Sequence, residues 1–564
     1  MIGVICEDRQ KSVVVEFFEL FKVPWEFYSS DRDYDVVIVT GYTDTVRPTR
    51  LLIEFGPERK PADADQVTQI NPGARGVLLE HHGHQFPVYL MTAIFDSSSK
   101  PLMRISGSTA VVGIEYFSQG QRVLRIGYDL FDEARFLLSQ GQPIERAGIP
   151  TLDVHITMLR DWILGSGIPL LEVPPVPAGY NFVACLTHNV DFIGIRNHGL
   201  DHSVLGFIVR ALLPQNLRNI ASKTWWARLL RNWKALLSLP GVYLGLTWDI
   251  WFAIDRYTEL ESDISSTFFF VPFRDNPGHG PNGERPRYRA ARYDVWHHRS
   301  LIDDLKTKGF EIKLHGIDAW HNLDIGLQEA KVIRELTHDD HIGVRMHWLY
   351  FSNESPEILE KTGVIYDSIL GYNETVGYRS GTTQVYRLPG TSHLYELQLN
   401  IMDTTLFYPK RMGLSEPETL DVCTRLIGDT WTYGGVLTVN WHTRNLSPER
   451  NWDKFCVELL NMLRNQNVWP ATCADAVRWF RKRRAIRFDD VRFSSSGVDA
   501  KLSLGDNDEL PGAILRLYYP GRGAMKAAHT PCSEHRFVDI PWSGEREVHY
   551  VAPSLCGGNV AESS

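Results

Sequence analysis

Phe182 to Leu186 reads Phe-Val-Ala-Cys-Leu, an apolar run of strand length with no polar residue inside it. A strand with one face in water alternates polar and apolar side chains. One that does not alternate is buried on both faces, as in parallel sheets covered by helices. The chain repeats the pattern at Ser266–Pro272, Phe310–His315, Ile342–His347 and Gly435–His442, with helical patterns such as Arg299–Lys308 and Leu327–Thr337 between them. Strand, crossover helix and strand in succession predict an α/β domain over residues 180–485, with a mainly parallel sheet that is closed or partly closed.

Two further domains are expected around it. Residues 1–175 read as a small α/β domain, with strands at Ile2–Ile5 and Val36–Val39 and a helix near Ser12–Phe21. A second helix is expected over Tyr128–Gln140. A third follows Pro150, with Thr151 as its N-cap and Leu164 near its end. Leu170 to Gly179 carries Pro174, Pro175 and Pro177, cannot be helical, and marks the boundary. No Gly-rich phosphate loop stands at a strand–helix junction in the first domain, so nucleotide binding gains no support. Residues 487–564 alternate in Val491–Leu504, Ala513–Tyr519 and Glu547–Ala552, with Gly and Pro between, and predict a small antiparallel β domain. An insertion at about 195–257 holds Trp225, Trp226, Trp233, Trp248 and Trp251 beside Arg210, Arg218, Lys223, Arg228, Arg231 and Lys234. A basic, Trp-rich amphipathic stretch suits either packing on its own domain or peripheral contact of 203–251 with a membrane surface or anionic lipid-linked glycan.

The net charge of −9 over 564 residues argues against nucleic acid as the main partner. The seven cysteines form no C-x-x-C pair, which argues against a structural zinc site or disulfide framework and fits a reducing compartment. The chain starts directly with a strand-like run, without a basic segment and long apolar core, so no signal peptide is expected. No run of 18 apolar residues occurs either, so a cytoplasmic, at most membrane-peripheral, location is expected.

Chemistry-bearing side chains collect at the strand ends. Thr187, His188, Asn189 and Asp191 follow the first run, and His315 closes a second, followed by Asp318, Trp320 and His321. Arg345 and His347 end a third, and Asn440, Trp441, His442 and Arg444 end a fourth. Parallel strands point their C-terminal ends the same way, so these segments can converge on one pocket. Asp191, His315 and a further His would offer a divalent metal two imidazoles and a carboxylate, with positions left for water and substrate. His442 could donate a proton to a leaving group, and Arg345 could orient a carboxylate or stabilise an oxyanion.

The ordered series Thr-His-x-Val-Asp, Leu-His-Gly-x-Asp-Ala-Trp, Gly-Val-Arg-x-His and Trp-His resembles the polysaccharide deacetylase family, carbohydrate esterase family 4 with the NodB-homology fold. Tyr366–Tyr372 and Gly377–Gly381 are similar to its middle segment. The resemblance covers about 180–485. It implies a distorted (β/α) barrel, a bound divalent metal (zinc, with nickel or cobalt as alternatives), and hydrolysis of an N-acetyl group from an amino sugar in a polysaccharide or its lipid-linked precursor. By the same resemblance Asp191 and His315 are metal ligands, Arg345 orients the catalytic base and His442 is the general acid. The family's second histidine would fall on Ala319, so His321 is expected as third ligand, with Asp318 and His347 as rivals. Trp320, Tyr350, Arg379, Trp441 and Arg444 are the expected substrate contacts. Asn189 stands where the family places the aspartate that deprotonates the attacking water, and an amide is too weak a base for that. Three explanations are open: an Asp in the parent sequence, another carboxylate such as Asp318 acting instead, or a retained pocket without turnover. The alternatives to a deacetylase are therefore a silent glycan-binding protein and a deformylase-like amide hydrolase on a lipid-linked sugar.

Overall fold

The computed structural model describes residues 1–41, 46–60, 63, 67–118, 120–199, 201–212, 223–447, 450, 452–494, 497–503, 510–520, 536–542 and 544–551. Its central sheet has ten strands. Phe182–Val190 lies in the middle, paired in parallel with Thr267–Phe270 on one side and Val436–Asn440 on the other. Beyond Thr267–Phe270 the order continues through Glu311–Gly316, Ile342–Met346 and Val364–Asp367 to Tyr395–Glu396. Only Tyr386–Arg387, at that end, runs antiparallel. The other end is Ile401–Met402, and among the described residues the two ends do not pair, so the sheet is not fully closed. Helices including Arg299–Thr307 and Leu323–Thr337 make the crossovers, as the apolar runs require.

The period of two along these strands sorts the residues. Phe182, Ala184, Leu186 and Val190 pack outward under the helices into the main core. Val183 and Cys185 instead join Phe269 and Tyr366 in a second, interior cluster. The odd positions therefore pass from apolar at the base of the sheet to Thr187, Asn189 and Asp191 at its C-terminal end.

The N-terminal region holds the expected strands at Ile2–Ile5 and Val36–Val39 and helices at Lys11–Leu20, Leu130–Ser139 and Thr151–Gly165. Thr151 is the first helical residue rather than the cap. Pro150 takes the cap position, and the Thr151 hydroxyl donates to Gln142 Oε1 (2.8 Å). The sheet here has nine strands, with antiparallel hairpins between residues 77 and 126 added to a parallel half. The C-terminal region is antiparallel, as expected, but Val491–Leu504 is not one strand. Arg487–Ser494 and Gly497–Ser503 form a hairpin. A second sheet pairs Ala513–Tyr518 with Leu170–Glu172, so the proline-rich connector lends a strand to the C-terminal region. Cys532 and Cys556 lie outside the described residues.

Two helices, His202–Leu212 and Lys223–Tyr243, form the Trp-rich insertion. Arg218 lies outside the described residues, as do the side chains of Lys223, Trp225 and Arg228. Among the described residues no helix is long and apolar enough to cross a membrane.

Candidate metal centre and acid pair

Asp191, His315 and His347 meet at the C-terminal end of the sheet. His315 Nε2 lies 3.5 Å from Asp191 Oδ1, and His347 Nε2 lies 3.6 Å from Asp191 Oδ2. The three ligand atoms fall within 4.8 Å of one another. His315 Nδ1 faces the Arg345 carbonyl oxygen at 2.8 Å, which fixes the proton on Nδ1 and leaves the Nε2 lone pair turned to Asp191. Burial pushes the His315 pKa down to about 4, so the imidazole is neutral at pH 7, as a ligand must be. His315 Nε2 and Asp191 Oδ1 are buried and accept no hydrogen bond. Buried polar atoms without partners are rare, and two of them aimed at one point fit a divalent cation held by these three side chains.

His347, the rival of His321 for the third position, is the residue that groups with Asp191 and His315. His321 stands in a separate group with His279 and Asp318. Asp318 takes the backbone N–H of His279 (2.8 Å) and faces its Nδ1 (2.9 Å), while the backbone N–H groups of Ile317 and Asp318 donate to Glu329 of the crossover helix. These bonds turn the loop after His315 away from Asp191. Asp318 is thereby engaged as a loop anchor.

Arg345 is fully buried under Asn189. Its Nη1 donates to Thr187 Oγ1 (2.6 Å), Asn440 Oδ1 (3.1 Å) and Asn189 Oδ1 (3.3 Å), and its Nη2 donates to Ser368 Oγ (2.7 Å). The guanidinium also lies 4.5 Å from the Phe269 ring centroid. None of these partners is a carboxylate. Burial lowers the Arg345 pKa to about 10, and the group stays charged at neutral pH.

Opposite the three ligands, His442 Nδ1 pairs with Asp403 Oδ1 at 2.6 Å, and the His442 backbone N–H donates to Asp403 Oδ2 at 2.7 Å. Asn445 Nδ2 also donates to Asp403 (2.6 Å). Burial opposes a charged imidazole, but the Asp403 and Asp191 carboxylates outweigh it, so the His442 pKa is raised. Its Nε2 lies 3.9 Å from Asp191 Oδ2.

A cavity opens over Asn189, Asp191, His347 and His442. Of the five expected substrate contacts only Arg444 lines it. Trp441 is buried against Phe407 and Phe455, because its side chain falls on the outward face of the strand end. Trp320 packs on His321 and Tyr350, with the loop that turns away. Tyr350 lies under the Arg289 guanidinium, 4.5 Å from its centroid. Arg379 donates to the Gly371 carbonyl (2.9 Å), and its own carbonyl accepts from Gln142 of the N-terminal region. His188, on the outward face, is held between the Trp441 carbonyl and Glu261 and does not reach the site. In place of the missing contacts the cavity presents Tyr288, Trp348, Asn373, Tyr408 and Arg411. Trp348 and Leu349 both have left-handed backbone, with φ of 67° and 56°. That is a strained conformation for bulky residues, and here it aims the Trp348 indole at the opening.

No family model matches the chain, and no curated protein matches it. Among solved structures it is similar to Agd3, described as a novel carbohydrate deacetylase, at 9% identity over 98% of both chains with a TM-score of 0.38. It is also similar to Puue allantoinase at 13% identity and a TM-score of 0.31, over 54% of this chain and 91% of that one. A third likeness is to the catalytic domain of the peptidoglycan N-acetylglucosamine deacetylase of Eubacterium rectale, at 11% identity and a TM-score of 0.24, over 53% of this chain and 93% of that one.

Proposed function

We propose that this chain is a metal-dependent hydrolase that removes an acetyl group from the nitrogen of an amino sugar in a polysaccharide or its precursor. The observation that carries the reading is the pair of unsatisfied atoms Asp191 Oδ1 and His315 Nε2, grouped with His347 and facing the His442–Asp403 pair across one cavity. A divalent ion held by those three side chains would polarise the acyl carbonyl and make water a stronger nucleophile. His442 holds its Nε2 toward the cavity and gives its proton to the leaving amine nitrogen as the C–N bond breaks. Asp403 fixes the tautomer and orientation of that imidazole. Exposed Trp348 and Tyr288 offer ring faces to the sugar.

Asn189 cannot take a proton from water. Its amide only accepts from Arg345, so the water-activating step lacks the general base that is typically worth about 10²–10⁴-fold. The same residue favours a second reading, a glycan-binding protein that does not turn over.

Metal content and acetate release from an N-acetylated oligosaccharide separate the two. The zinc-incubated protein should hold one ion, which His315→Ala and His347→Ala lose and His321→Ala keeps. Asn189→Asp should raise acetate release by about 10²-fold, since it adds a base and gives Arg345 a counter-charge. Metal bound with no acetate released by either form would leave glycan binding as the function.

A further inference from the structure

The insertion helices are apolar on the wrong side. Their inner faces pack together and onto the domain through Val204, Phe207, Ala211, Leu239, Val242 and Trp251, as a soluble hairpin should. Their outer faces are apolar as well. On the long helix Trp226, Leu230, Trp233 and Leu237 recur at spacings of four, three and four, which places them on one stripe, and all four are exposed, as is Leu244 just past the helix end. On the short helix Leu205, Val209 and Leu212 continue it, and in the turn beyond, Leu246 (77% exposed) and Trp248 (65%) extend it. Scattered exposed apolar residues are ordinary, but a contiguous stripe of this length marks an interaction surface.

Its charge identifies the partner. From His202 to Trp248 the sequence has Arg210, Arg218, Lys223, Arg228, Arg231 and Lys234 and no Asp or Glu, in a chain whose net charge is −9. Arg231 is engaged by Asp453, and Lys234 is exposed beside the stripe. By sequence the segment carries six cations and no acid, so bringing two copies of it together would set like charges against each other. Trp and Leu on an amphipathic helix whose sequence neighbours are cations, with no described helix long and apolar enough to cross a bilayer, suit a helix lying in the lipid interface. Pro240 within the helix is also tolerated at an interface, where water can reach the freed carbonyl.

We propose that the outward face of the 202–248 hairpin docks on an anionic lipid bilayer. The surface is continuous with the cavity, because His202 and Ser203 line its wall and the His202 ring lies 4.6 Å from Tyr288. Docking therefore sets the cavity beside the membrane. That this favours a lipid-linked glycan as substrate rests on the hydrolase reading, whereas the docking itself does not.

The test is co-sedimentation of the full chain with extruded phosphatidylcholine vesicles, with and without roughly 30% phosphatidylglycerol, alongside the double variant Leu230→Glu/Leu237→Glu. Both sites are exposed, so the variant should keep the wild-type melting temperature and metal content. Partition to anionic vesicles should exceed that to neutral ones by about tenfold or more and weaken with salt, and the variant should lose at least about tenfold. No anionic-vesicle binding, or equal binding by the variant, overturns the proposal. A wild-type dimer that the variant converts to monomer also overturns it and assigns the face to a second copy. Failure of acetate release would leave this result untouched.

Discussion

Asp403 reaches His442 through both of its oxygens, one to the ring and one to the backbone, with Asn445 sharing the second. A carboxylate held this way does two things for an acid: it fixes which nitrogen faces the cavity, and it keeps the ring protonated to higher pH. Asp403→Asn keeps the shape but loses the charge. We expect kcat to fall by about 10²-fold with KM little changed. The raised His442 pKa falls in the variant, and a general acid works only while protonated, so the limb on which activity is lost as pH rises should move to lower pH. A pH–rate profile checks this, and an unmoved limb would show that His442 is not the acid. Arg345 is the other informative residue. It is buried with only neutral partners, and the amide of Asn189 stands where an anion would satisfy it.

At the scale of elements, the turn after Ile342–Met346 carries both a candidate ligand and a cavity contact. His347 points inward, and the left-handed Trp348 and Leu349 that follow swing the chain so that the indole faces the opening. Asn373 Nδ2 donates to the Trp348 carbonyl (3.0 Å) and holds the turn from outside. Glycine takes φ of 67° without strain, so Trp348→Gly should leave the melting temperature close to wild type. It should raise KM for an oligosaccharide about tenfold through loss of the stacking face, with kcat little changed, because stacking acts before and during the reaction alike. Steady-state kinetics with thermal melts tests both halves. The strand-end histidines of this sheet were legible because apolar runs and a period of two place them without any knowledge of loops. The choice between His321 and His347 was not legible, since it depends on Glu329 and His279, distant in sequence, bending the loop after His315. Asp403 left no signal either. It opens a five-residue helix, Asp403–Phe407, directly after a two-residue strand, and both are too short for any periodicity. Spacing from the motif placed aromatic and basic contacts at Trp320, Tyr350, Arg379 and Trp441, yet side-chain direction at each is set by packing partners elsewhere in the chain.

Across the whole molecule, the flanking regions are fused to the central sheet. One hydrophobic core runs from Ile2 through Tyr518, and Asp153 of the N-terminal region accepts from Thr382 Oγ1 and Thr383 N, both at 2.7 Å. The strongest tie is Arg483, fully buried on the last helix of the central domain, Cys473–Ala485. Its guanidinium donates to the Glu19 and Leu20 carbonyls, where Lys11–Leu20 ends, to the Val173 carbonyl of the connector and to Gln384 Oε1. A cation there satisfies carbonyls that the helix end leaves open and lies favourably at the negative end of its dipole. The next residue, Arg484, grips Glu16 of the same helix through both nitrogens (2.7 and 2.8 Å). Arg483→Met keeps much of the volume but strips the donors from three buried carbonyls. The loss should be about 3 kcal/mol or more, at the upper end for a single substitution. Because the bonds join three segments, calorimetry should show one transition for the wild type and an earlier, separated N-terminal transition in the variant. Melting that stays single and unshifted would mean the regions are held by the apolar core alone. With the tie intact, the N-terminal region braces the wall of the central sheet at Gly371–Thr383, through Gln142 and Asp153. The loop at Asn373 that holds Trp348 sits in this same stretch, so loosening Arg483 should also raise KM, whereas the His442–Asp403 acid pair should keep its pH limb.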